Sequence, residues 1–249
     1  ATRAFAADRV FPPLSFRPHE TVTQPDVMHW TTVLPCQARG VPNIYTIHDM
    51  IPLRLPHTTL DNKRAFLGLC RQIAKKADRI AVVSEATKRD VIDILGVEDD
   101  RISVTWQSVG IPPRLLARSD ETVAAELASV HQLGWKGYYL YFGAIEPKKN
   151  LGRIVEAYLT SGSTRPLVVV GGRAWLDEDE TALMHQIRRT KKAREKRIRL
   201  YDFLPFSLLV DLIRGARGTL FPSIYEGFGL PVLESMALGT PVVTSTAAS

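Results

Sequence analysis

Thr219-Leu220-Phe221-Pro222-Ser223-Ile224-Tyr225-Glu226-Gly227-Phe228-Gly229-Leu230-Pro231-Val232-Leu233-Glu234-Ser235-Met236-Ala237-Leu238-Gly239-Thr240-Pro241-Val242-Val243-Thr244 decides how the chain is built. Residues 219–221 form an apolar burst of strand length. A glycine-rich loop follows, then apolar residues at helical spacing over 231–238, then a second burst at 242–244. A strand that passes through a helix into another strand is a crossover, and crossovers join parallel strands.

The same alternation continues outward. Strands are expected at 44–47, 80–83 and 102–106, with helices over 61–77 and 85–95 and Ser84 as the cap of the second. A second series has strands at 138–142, 167–170 and 198–201 and helices over 151–160, 176–190 and 207–214. Between the series, Gly110-Ile111-Pro112-Pro113-Arg114 ends any regular element, and one helix-like stretch follows at 121–130. The expected fold is α/β, with two Rossmann-like parallel-sheet domains, residues 1–114 and 115–249, facing a cleft at the C-terminal ends of their strands.

Composition narrows the function classes. With 249 residues, 45% hydrophobic and 23% charged, the chain is neither disordered nor collagen-like. No apolar stretch approaches the ~18 residues that cross a bilayer, and residues 1–10 lack a signal-peptide core. Cys36 and Cys70 suit neither a disulfide framework nor a zinc knuckle, so a reducing, cytoplasmic setting is expected. The net charge of +6 is concentrated: residues 188–199 hold eight bases and one acid, leaving the remainder near neutral. Asp177, Glu178, Asp179 and Glu180 precede this run, the charge order of a solvated helix. Aromatic residues do not interleave with the bases, and no nucleic-acid partner is expected.

The chemistry gathers around the quoted stretch. Gly227 and Gly229 let backbone approach a ligand, and Pro231 suits the first helical position. The amides of Phe228, Gly229 and Leu230 would then point outward at a helix N-terminus and hold a diphosphate without a metal. Glu226 and Glu234 flank that anion site. A carboxylate beside a phosphate needs donors of its own, which the hydroxyls of a ribose and a sugar supply. A glycosidase also uses two carboxylates, but the anion site favours a transferase.

Glu-Gly-Phe-Gly-Leu-Pro, Leu-Glu-Ser-Met-Ala and Gly-Thr-Pro-Val-Val together resemble the signature of the retaining, GT-B-fold glycosyltransferases of group 1 and family 4. The resemblance implies that Glu226 touches the transferred sugar and Glu234 the nucleotide ribose. It extends to Tyr141-Phe142-Gly143-Ala144-Ile145-Glu146-Pro147-Lys148-Lys149-Asn150-Leu151, similar to the strand and phosphate loop that open the family's C-terminal domain. There Gly143 begins the loop and Lys149 takes the place of the phosphate-binding lysine. Many members carry arginine after the glycine; here Ala144 stands there, and Lys148 is the nearest substitute. Thr46-Ile47-His48-Asp49 is similar to a segment whose histidine contacts the donor sugar, and Gly171-Gly172-Arg173 stands where it would border the nucleotide.

The implied reaction is transfer of a hexose from a nucleoside-diphosphate sugar, with GDP-mannose expected from similarity to bacterial polysaccharide mannosyltransferases. The implied acceptor is a lipid-linked or growing saccharide, and the implied stereochemistry is retention. Neither cofactor nor metal is expected, and the basic run would give peripheral contact at the inner membrane face. The alternative is a non-catalytic nucleotide-sugar or polyanion-binding module of the same fold. Both ends of the family fold, the strand and glycine-rich loop before Val41 and the elements after Thr244, are expected to be missing. A weakly active, self-associating chain would result.

Overall fold

The computed structural model describes residues 11–16, 25–172, 189, 195 and 197–246. They form two compact units. One reaches to Gln107 and also takes in Glu226–Phe228; the other covers Ser108–Tyr225 and resumes at Gly229. The Pro112-Pro113 stretch thus lies a few residues inside the second unit.

The first unit holds a parallel sheet of four strands in chain order, β1 (Met28–Trp30), β2 (Asn43–Ile47), β3 (Arg79–Val82) and β4 (Ile102–Val104). Helix α1 (Lys63–Lys76) lies between β2 and β3, and α2 (Glu85–Leu95) between β3 and β4. The α1 helix buries Leu69, Cys70, Ile73 and Ala74, the i, i+3, i+4 spacing of one face, against Tyr45, Ile47 and Ile80. The Ser84 hydroxyl accepts from the Thr87 amide at 3.1 Å and caps α2, as the sequence predicts, and Gly96 closes that helix at φ 67°. Asn43 locks the entry to β2. Its side-chain carbonyl accepts from the Ala38 amide and the Trp30 indole, and its amide donates to the Ala38 and Val41 carbonyls. Both cysteines are free and buried, and burial pushes the Cys70 thiol up to about 12, well out of the reactive range.

The second unit begins with α3 (Asp120–His131) and continues β5 (Tyr139–Phe142), α4 (Leu151–Thr160), β6 (Leu167–Val170), β7 (Ile198–Tyr201), α5 (Phe206–Gly215), β8 (Gly218–Phe221), α6 (Leu230–Ala237) and β9 (Val242–Thr244). All five strands are parallel, in the order β9-β8-β5-β6-β7. Every residue of β6 is buried, which explains its unbroken Leu-Val-Val-Val run.

Three differences from the sequence reading have physical reasons. Strand β1 carries His29 between Met28 and Trp30, too short and polar to register as an apolar burst. The α6 helix starts one residue early, so Pro231 is its second residue rather than its first. The expected helix over 176–190 and most of the basic run fall outside the described residues; within the run, Arg199 donates to the His131 and Gln132 carbonyls at the end of α3. Two other arginines act alike: Arg101 on the Ala74 and Ala77 carbonyls, and Arg214 on those of Leu115 and Arg118. Orphan carbonyls at a helix end take guanidinium donors readily.

Asn43→Ala removes four hydrogen bonds at once and leaves buried backbone groups unpaired. It is expected to destabilise the fold by about 2–4 kcal/mol, read as a lowered urea midpoint with an unchanged slope.

Candidate functional site

In the second unit the strand order reverses between β5 and β8, so the loops after these strands diverge and leave a crevice at their C-terminal ends. Those loops are residues 143–150 and 222–229, which carry most of the residues singled out from the sequence. They are stapled together. The Ile224 amide donates to the Lys148 carbonyl at 2.8 Å, and the Asn150 side-chain amide donates to the Pro222 carbonyl at 3.1 Å.

The 143–150 loop depends on two glycines. Gly143 sits at φ +132°, a conformation strained for any side chain. A Cβ on Gly171 would lie 2.1 Å from the Gly143 carbonyl oxygen, so the loop after β6 can come alongside only because Gly171 has none. Lys149 closes the short 3-10 turn Pro147–Lys149, immediately before α4, and is half-buried. Lys148 lies 3.1 Å from the Glu146 carboxylate, both side chains being 17% exposed. Its charge is therefore balanced locally, which weakens it as a stand-in for the arginine absent at Ala144.

At the start of α6, Gly229 adopts φ +96°, and its carbonyl takes the amides of Val232 and Leu233. Among the described residues the amides of Phe228, Gly229 and Leu230 have no hydrogen-bond partner. Consecutive unpaired donors at the positive end of a helix dipole suit an anion. The helix is fixed by a buried hydroxyl chain: Thr219 donates to Ser235 at 2.9 Å, and Ser235 donates to the Pro231 carbonyl at 2.8 Å. Glu234, beside Ser235, is half-buried, and burial raises its carboxyl above the usual carboxylate value.

Glu226–Phe228 pack with the first unit, a grouping that chain order does not give. A Cβ on Gly227 would lie 2.5 Å from the His48 carbonyl oxygen, and the Thr87 hydroxyl donates to the His48 carbonyl at 3.2 Å and the Gly227 carbonyl at 3.4 Å. The exposed His48 ring places Nε2 2.8 Å from the Thr31 carbonyl. A carbonyl only accepts, so Nε2 is the donor of this hydrogen bond. Asp49 accepts from the Ile51 amide at 3.0 Å and forms the turn that follows β2. Thr87 carries no local pattern that marks its long-range contact, whereas the glycine pair at 171–172 does signal a close backbone approach.

The two sheets and the switch-point loops define the GT-B class of fold. Consistent with that, the structure aligns with Anabaena Alr3699/HepE in complex with UDP-glucose at a TM-score of 0.69 and 19% identity, over 84% of this chain and 54% of the other. The family model for glycosyl transferases group 1 matches residues 129–249, and that for Glycosyltransferase Family 4 matches residues 5–109. The chain belongs to the group 1 glycosyl transferases, with a family 4 first unit. That second match includes residues before Val41, where the sequence reading found no family feature.

O-antigen chain mannosyltransferase B of Escherichia coli is 33% identical over 211 residues, 83% of this chain and 53% of that protein. O-antigen chain mannosyltransferase RfbU of Salmonella typhimurium is 26% identical over 200 residues, 80% of this chain and 51% of that protein. The chain thus spans about half the length of the curated relatives it matches. Among the described residues no helix is long and apolar enough to cross a membrane.

Because its raised carboxyl favours the neutral form, Glu234 costs stability once ionised: its contribution falls as pH rises from about 4.5 through the raised value and stays low above it. Glu234→Gln is therefore expected to raise Tm at pH 7.5, with the gain vanishing near pH 4. A pH series of thermal melts reads this directly.

Proposed function

We propose that the protein is a retaining hexosyltransferase that moves mannose from GDP-mannose to a lipid-linked or growing saccharide. The observation that carries this reading is the pair of unpaired amides at Gly229 and Leu230, set beside a half-buried carboxylate on the same helix. The amides suit the diphosphate, and Glu234 suits the ribose hydroxyls. The relatives described as O-antigen chain mannosyltransferases support mannose as the transferred sugar and a polysaccharide chain as the acceptor.

In this reading the bond from the anomeric carbon to the diphosphate breaks, and the bond to the acceptor hydroxyl forms on the same face. The departing phosphate oxygen takes the acceptor proton, so no protein base is required. Lys149, the helix amides and the α6 dipole stabilise the negative charge that develops on the leaving group. Fixed cations and dipoles supply what a metal otherwise would, so turnover is proposed to be metal-independent. Glu226 and His48 contact the transferred sugar. The site of work is the cytoplasmic face of the inner membrane, where the net positive charge of the 188–199 sequence would add attraction for anionic lipid.

Glu234→Ala is expected to weaken GDP binding by about 1–3 kcal/mol, the cost of unpaired ribose hydroxyls. Calorimetry that finds unchanged affinity would remove Glu234 from the site. GDP affinity of the unmodified protein should also decline as pH falls through the raised Glu234 value, since the ionised carboxylate is the better acceptor. In a thermal-shift panel, GDP and GDP-mannose should stabilise more than UDP or ADP. Mannose transfer should persist in excess EDTA; loss restored by magnesium or manganese would exclude the proposed leaving-group chemistry.

A further inference from the structure

Thr87 is the third residue of α2 and is fully buried. A threonine near a helix end ordinarily turns its hydroxyl to water or to a backbone group of its own turn. Here the hydroxyl oxygen lies 3.2 Å from the His48 carbonyl and 3.4 Å from the Gly227 carbonyl, 39 and 140 positions away along the chain. Ser84 holds it in that orientation. The Ser84 hydroxyl donates to the Thr87 oxygen at 3.2 Å and accepts the Thr87 amide at 3.1 Å, so the Thr87 proton is left to point at the two carbonyls.

Two carbonyl oxygens that share one donor turn like partial charges toward the same point. Remove the proton and they repel, and the buried Gly227 carbonyl loses a partner at the cost of an unmet acceptor. The missing side chain of Gly227 permits the close approach, since a Cβ there would lie 2.5 Å from the His48 carbonyl oxygen and 3.0 Å from the Asp49 Cβ. Permission is not register, because a glycine backbone is free to adopt many conformations. The directional bond from Thr87 is what selects one of them. Glu226 directly precedes Gly227, so a single buried hydroxyl holds the backbone at both residues that the donor reading places on the transferred sugar.

We infer that Thr87 is a positioning residue for the donor sugar, its hydroxyl fixing Glu226 relative to His48 while touching no substrate atom itself. The inference rests on the transferase reading for the roles of those two residues. It also separates sugar from nucleotide. The start of α6, with the Gly229 and Leu230 amides and Glu234, is fixed by a different hydroxyl chain that runs from Thr219 through Ser235 to the Pro231 carbonyl. Loss of the Thr87 hydroxyl therefore disturbs recognition of the sugar and leaves the nucleotide site intact. A carboxylate displaced by about 1 Å no longer meets its hydroxyl partners, which is how a buried side chain outside the site controls what the site reads.

The test is calorimetry of the whole chain with GDP and with GDP-mannose, read as the ratio of the two affinities, which isolates the sugar. Thr87→Val keeps the shape and removes the hydroxyl; it is expected to lower the GDP-mannose to GDP ratio about 5-fold or more, with GDP affinity within about 2-fold of the parent. Thr87→Ser keeps the donor and should hold the ratio within about 2-fold. Thr87→Ala removes the donor without retaining the methyl groups and gives the same reading if the valine variant does not fold. Glu226→Ala should lower the ratio as well, and adding Thr87→Val to it should change little more, because both act through one group. A ratio unmoved by Thr87→Val and Thr87→Ala, or moved equally by Thr87→Ser, in proteins that bind GDP normally, overturns the inference and leaves the hydroxyl a role in the packing of α2 alone, seen as a lowered Tm. If Glu226→Ala itself leaves the ratio unmoved, the placement of Glu226 on the sugar fails, and the inference with it. Failure of the parent to bind GDP would instead strike at the donor reading as a whole.

Discussion

The second unit is governed by one topological constraint, the reversal of strand order between β5 and β8. Right-handed crossovers send α4 and α6 to opposite faces of the sheet, because β5 connects toward β6 and β8 connects toward β9. The first residues beyond β5 and β8 therefore cannot be covered by either helix. Backbone polar groups in such a gap must find partners across it or remain open to a ligand, and both occur. Ile224 and Asn150 bridge the loops, whereas the amides of Gly229 and Leu230 have no partner among the described residues. The absent side chain of Gly171 allows a neighbouring loop to close on Gly143, so the crevice has a backbone floor on that side.

Charge at this crevice is unevenly compensated. Lys148 has Glu146, so its charge is met within its own loop. Glu234 is held where burial opposes ionisation, the situation in which a carboxylate gains most from hydroxyl donors brought by a ligand. Stability and ligand affinity pull in opposite directions at this one position.

Much of the fold was legible because buried parallel strands write themselves as apolar runs. The positions of β6, β7, β9 and α4 agree with their sequence ranges to the residue, since each is bounded by Pro, Gly, Ser or a charge. Strand β1 was not legible: it pairs only with β2 among the described residues and carries a polar His29 bonded to the Thr46 hydroxyl at 2.8 Å, so the apolar signal disappears. The glycine frame around residues 227–229 was legible, but not that Glu226–Phe228 pack with the first unit. A short segment inside a loop can change its allegiance through a single close approach, here Gly227 on His48, and no local pattern encodes that. Lys148 read as a free cation for the same reason, because its pairing with Glu146 is set by the turn over Pro147–Lys149.

The arginines on helix ends bear on how this protein should be handled. Arg101, Arg199 and Arg214 count toward the formal +6, yet each spreads its guanidinium over carbonyl oxygens of its own fold. The field they project into solvent is correspondingly reduced, so formal charge overstates how strongly the molecule attracts polyanions or ion-exchange resins. A charge-reversal campaign aimed at solubility would treat these three as interchangeable with surface lysines. Lysine, with a compact ammonium in place of a planar fork, cannot span two carbonyls in the same way, and such exchanges would unravel the ends of helices rather than adjust a surface.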